Sequence, residues 1–181
     1  YLRWQAGIER DGLQDLDRAI ETLERLLEIK GNDPAVTAEL ETLYRTARRP
    51  DTLRELLNER LKDMAEDQRP RALLDMAYGL VELEGPASVV PMLEQVLEYD
   101  SENLEARQLL VNALQDSDAA LAAAAVLEPL LRQAEQWSQL VAVLAAKARV
   151  TDDARQRARI VEAIGDTYLD QLESPQNAFA A

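Results

Sequence analysis

The stretch Ala19-Ile20-Glu21-Thr22-Leu23-Glu24-Arg25-Leu26-Leu27-Glu28-Ile29 recurs 70 residues later as Val89-Val90-Pro91-Met92-Leu93-Glu94-Gln95-Val96-Leu97-Glu98-Tyr99. Each copy follows a helical pattern and precedes a break and another helix. A supersecondary unit that repeats at a fixed period cannot bury its apolar face alone, so neighbouring units stack and share one core. The recurrence predicts an all-α chain, an α-solenoid of antiparallel helix pairs, and points to a protein-binding scaffold.

Local pattern supports the helices. Leu53, Leu56, Leu57 and Leu61 form one apolar stripe; Leu23, Leu26 and Leu27, and Leu13, Leu16 and Ile20, behave likewise. The breaks have their own chemistry. Gly31-Asn32-Asp33-Pro34 ends one helix and starts the next, with Gly for a left-handed residue, Asp33 as a cap and Pro34 in the first turn. Arg49-Pro50-Asp51 repeats this, with Asp51 as the expected cap, as do Gly85-Pro86 and Ser174-Pro175. Asp100-Ser101, Asp116-Ser117-Asp118 and Thr151-Asp152-Asp153 offer side-chain oxygens to unpaired N–H groups. With Ser88 as cap, Pro91 falls harmlessly in a first turn. The pattern predicts helices near 1–11, 15–30, 35–48, 51–65, 69–84, 88–99, 103–115, 118–134, 137–150, 154–172 and one from 176. Connections this short make neighbours antiparallel. Pro129 should kink or split its helix near Ala125–Glu128. The small residues Ala119 to Ala125 are read as close helix packing, and Trp137 as a staple at a pair junction.

Spacing within the pairs resembles the tetratricopeptide repeat, a helix pair of about 34 residues. Small residues at Gly7 and Ala19, and at Ala77 and Val89, are 12 apart; Gly165 and Ala178 are 13 apart. Ile164-Gly165-Asp166-Thr167-Tyr168 matches the family's first-helix motif, and Tyr44 takes the aromatic position in the pair that begins at Pro34. Arg10 and Leu80 stand where the family usually has an aromatic. The resemblance implies a right-handed superhelix of about 10–11 helices, with pairs roughly at 1–33, 34–66, 67–101, 102–135 and 136–181. Both ends read as cut from a longer, bacterial-looking array, so flanking repeats of the same chain are expected.

Composition narrows the function. The chain has 34 acidic and 20 basic residues, a net charge of −14. A nucleic-acid reader needs a basic stripe, and the densest basic cluster is only Arg45, Arg48 and Arg49. Anionic membranes are disfavoured for the same reason, and no apolar run reaches the length of a membrane span. Neither His nor Cys is present. The common general base, the Ser/His/Asp and Cys/His nucleophiles and the usual zinc sites are therefore excluded. Acidic pairs such as Glu24 with Glu28 and Asp63 with Asp67 read as solvated helix faces. No cofactor, metal site or enzyme activity is expected.

Surface recognition remains. In the family the first helices line a concave groove. By position, the resemblance places Trp4, Gln5 and Ile8 there, then Ala38, Glu39 and Thr42, then Leu74, Asp75 and Tyr78, then Gln108 and Asn112, then Glu162 and Asp166. The two amides suit a peptide backbone, and Tyr78 an anchor. Some family members clamp a terminal carboxylate with Lys and Asn. Here Glu39, Asp75, Glu162 and Asp166 occupy those positions and favour a basic peptide or protein instead. Two alternatives compete with this non-enzymatic scaffold. One is a structural spacer that associates through its ends, including Phe179, with no groove ligand. The other is a targeting arm of an enzyme whose catalytic domain lies outside the chain.

Overall fold

The structure is a computed structural model that describes residues 1–12, 15–31, 33–62 and 64–180, excepting the side chains of Pro175, Phe179 and Ala180. Leu13 of the apolar stripe, Asn32 of the first break, Asp63 of the acidic pair and the Phe179 side chain lie outside the described residues.

Among the described residues there are eleven α-helices and no strand. They are α1 (Leu2–Gly7), α2 (Leu16–Lys30), α3 (Pro34–Thr46), α4 (Pro50–Lys62), α5 (Arg69–Glu84), α6 (Val90–Tyr99), α7 (Leu104–Ala113), α8 (Ala120–Gln133), α9 (Trp137–Val150), α10 (Ala154–Asp170) and α11 (Pro175–Ala180). A π-helical segment, Ile8–Gly12, continues α1, and 3₁₀ turns at Glu66–Gln68 and Pro86–Ser88 precede α5 and α6. The chain divides into two compact units, Tyr1–Leu83 and Glu84–Ala181. Within the first, α1 packs on α2, α2 on α3 and α3 on α4. Within the second, each helix from α6 to α11 packs on the next, and α6 also meets α8.

The repeated stretch repeats its burial. Ala19, Ile20, Leu23 and Leu26 are buried in α2, and their counterparts Val89, Val90, Leu93 and Val96 are buried at α6. The recurrence thus records one core-facing stripe used twice, which is why its apolar positions persist. In α4, Leu53 and Leu57 are buried and Leu56 and Leu61 half-buried.

Most ends follow the expected chemistry. The Asp33 carboxylate accepts the N–H groups of Ala35 and Val36 at 3.0 and 3.4 Å. The Ala35 N–H, then Lys30, hold that carboxyl below its ordinary value. Asp153 caps α10 through the N–H groups of Arg155 and Gln156. Gly31 and Gly85 take φ of +73° and +86°, which an L side chain rarely adopts.

Two capping assignments need correction. Helix α4 begins at Pro50, so Asp51 lies inside its first turn rather than capping it. Asp100 ends α6 and, as expected, its side chain accepts a backbone N–H, that of Glu102 at 3.2 Å, while Asn103 caps α7 by accepting the Ala106 N–H at 3.0 Å. Ser88 ends the 3₁₀ turn and donates to the Gly85 carbonyl at 2.8 Å, and Val89 rather than Ser88 stands at the N-cap of α6. Helix α8 is not split either: it runs unbroken from Ala120 to Gln133 with Pro129 inside. Pro129 leaves the Ala125 carbonyl without its intrahelical donor, and both residues are exposed, so water can supply the missing bond.

Candidate functional site

A cleft of about 540 Å³ in the first unit is lined by α3, α4 and α5. Helix α3 contributes Glu41 and Arg45, one turn apart on one face; α4 contributes Arg60; α5 contributes Asp75, Tyr78, Gly79, Glu82 and Leu83. The Glu41 carboxylate sits between two guanidinium groups, accepting from Arg60 at 2.8 Å and lying 3.6 Å from Arg45. Its side chain is 12% exposed, whereas each arginine is 41% exposed. The shielded carboxylate therefore fixes two solvent-facing cations.

Gly79 makes this arrangement possible. A Cβ there would lie 2.8 Å from Arg45 Nη2 and 2.9 Å from its Nε. The missing side chain lets the guanidinium lie against the backbone of α5. On the α5 wall, Asp75 pairs with Arg71 at 3.1 Å, one turn back in the helix. Tyr78 is 45% exposed, and Glu82 follows one turn later. The cleft is consequently polarised, with arginines on the α3 and α4 side and carboxylates on the α5 side.

Of the sequence-expected residues, the structure brings Asp75 and Tyr78 together in this cleft. Leu74 cannot join them: it is 2% exposed and belongs to the core, a correction that follows from its place on the buried stripe with Leu73 and Ala77. Glu39 is ion-paired with Arg3 of α1. Thr42 donates to the Ala38 carbonyl of its own helix at 3.0 Å. Trp4 is 67% exposed and its ring centroid lies 6.4 Å from that of Tyr1, while Ile8 is also exposed. Gln5 is turned to Glu9, donating at 2.9 Å.

In the second unit, Gln108 and Asn112 on α7 hydrogen-bond to each other at 3.1 Å, and Glu162 and Asp166 on α10 are exposed. Gly165 faces the Ala178 carbonyl oxygen, which a Cβ would meet at an ordinary contact distance of 3.7 Å. Trp137 opens α9 half-buried.

Sequence reasoning missed Glu41, Arg45, Arg60 and Glu82, whose convergence depends on three helices packing. A local signal existed in Gly79, a glycine inside a helical pattern with no turn residues around it. Among the described residues no cluster of side chains is arranged to hold a metal ion, and no helix is long and apolar enough to cross a membrane. Compared with models of protein families, with curated proteins and with solved structures, the chain matches none of them.

Proposed function

We propose that this chain is a tetratricopeptide-like protein-interaction module that holds a peptide segment of a partner in the cleft of α3, α4 and α5. In this reading the helices of each unit form antiparallel solenoid pairs. The sequential packing of neighbours and the burial shared by the two repeated stretches support it. The observation that carries the binding role is the exposure of Tyr78 beside Asp75 and Glu82, facing arginines that Glu41 and Gly79 hold in place. A basic side chain on the ligand suits the α5 wall, the phenol of Tyr78 offers an anchor with only two side-chain torsions to fix, and the arginines suit an acidic group or backbone carbonyl. The remaining groove positions, Trp4, Gln5, Glu39 and Thr42 in the first unit and Gln108, Asn112, Glu162 and Asp166 in the second, are secondary to this cleft.

The test is capture of partners from lysate of the source cell at low and high salt, with the native chain and with Asp75→Ala/Tyr78→Ala. The expected outcome is a saturable partner that weakens as salt rises, because exposed charges are screened, and that the double variant loses. A partner retained by the double variant would move recognition away from the cleft. No partner at either salt would favour the spacer.

A further inference from the structure

Glu9 sits where a core residue belongs. It follows Leu2 and Ala6 at helical spacing on the face of α1 that packs toward α2, and it is only 9% exposed. Its two oxygens are held by neutral donors alone: Gln5 Nε2 reaches Oε1 at 2.9 Å, and the Thr22 hydroxyl of α2 reaches Oε2 at 2.7 Å. Among the described residues no lysine or arginine forms an ion pair with it. A carboxylate accepts about four hydrogen bonds, so each oxygen keeps unused capacity. A shielded charge without a counterion is unfavourable unless something completes it.

Space for such a group is present. Glu9 lines a cavity of about 350 Å³ with Leu2, Gln5, Arg18, Glu21, Thr22 and Arg25. The nearby cations do not fill it. Arg18 is drawn away by Asp15 at 3.4 Å and its side chain is 68% exposed, while Arg25 is exposed at the rim. The π-helical segment Ile8–Gly12 begins beside the site, and such widened turns are frequent at functional sites.

We propose that this cavity binds a primary alkylammonium group, with Glu9 as its counterion. The ammonium donates to the free lone pairs of both Glu9 oxygens, Glu21 adds negative charge at the side, and Leu2 covers the methylene stem. The site lies apart from the cleft of α3, α4 and α5 and does not depend on that cleft's role.

Lysine side chains and free polyamines share this chemistry. The probes are therefore acetyl-Ala-Lys-Ala-amide and spermidine, titrated into the whole chain while amide resonances of Gln5, Glu9 and Thr22 are followed by NMR. Saturable shifts centred on these residues are expected with at least one probe. The peptide alone would identify a protein source, spermidine alone a free amine, and both a site that reads only the ammonium. Glu9→Gln should weaken binding about tenfold or more, as loss of a charge-assisted contact does. The same peptide with norleucine in place of lysine should not bind, a control independent of any variant's folding. No shift with either probe, equal binding of the norleucine peptide, or unchanged affinity in Glu9→Gln would each overturn the assignment.

Discussion

Tyr44 combines burial with a directed hydrogen bond. It is 5% exposed, and its hydroxyl donates to Glu24 Oε1 at 2.7 Å, tying α3 to α2. Burial first, and the adjoining Glu24 carboxylate second, push its phenol far above the ordinary 10. In the unfolded chain the phenol ionises near 10, while in the folded chain it stays neutral well beyond that. The stability this neutrality provides is complete below about pH 10 and declines as pH rises further. Tyr44→Phe removes the hydrogen bond and leaves Glu24 without its donor, so it should cost about 1 kcal/mol at neutral pH. It should also flatten the alkaline decline. Urea unfolding at neutral and alkaline pH checks both effects; an unchanged alkaline slope in the variant would assign the decline to other groups.

Helix α8 poses the corresponding question for an element. Pro129 forfeits a hydrogen bond to Ala125 in the exposed face, whereas Ala123, Ala124, Leu127 and Leu131 hold the other face in the core. That apolar face outweighs a poor local propensity, so of the expected kink or split the split does not occur. Pro129→Ala restores the donor without touching the buried face and should stabilise the chain by about 1–3 kcal/mol. Denaturant titration would show it, and a variant less stable than the native chain would mean that Pro129 shapes contacts elsewhere. The same competition between local and tertiary forces decides what was legible. Helices α5 and α9 agree with the sequence pattern at both ends. The start of α7 at Leu104 lies one residue from the expected 103, although Asp100 and Asn103 both carry capping oxygens. In the cleft, Asp75 and Tyr78 could be found from their place on α5. Arg60 could not, because only packing brings α4 to Glu41, and neither could the approach of Arg45 to Gly79 of α5. Glu9 was readable only as a polar break in the stripe of Leu2 and Ala6.

Charge acts on the molecule as a whole. With no His and no Cys in the chain, no side chain of ordinary behaviour titrates between the carboxylates and the phenols. At the acid end, burial opposes the charge of Glu128, but hydrogen bonds from Lys147 and Arg132 outweigh it and hold the carboxyl below its ordinary 4.5. That contribution is present above the ordinary value and is lost as pH falls below it; Asp33 has the same sign. Stability should therefore be nearly flat from about pH 6 to about pH 9, falling on the acid side as these carboxylates protonate and on the alkaline side as unfolded tyrosines ionise. Salt should act across that plateau in the opposite sense from its effect on binding. The chain carries 14 more negative than positive charges, and its ion pairs are largely surface pairs worth about 0–1 kcal/mol each. Raising ionic strength to the point where the Debye length is about 8 Å relieves more mutual repulsion than it removes attraction. The melting temperature should thus rise with salt while affinity for a basic partner falls. Thermal unfolding across a salt series checks the first half. A melting temperature that falls with salt would mean that the arginine–carboxylate pairs, such as those around Glu41 and Glu128, contribute more to the fold than the excess charge takes away.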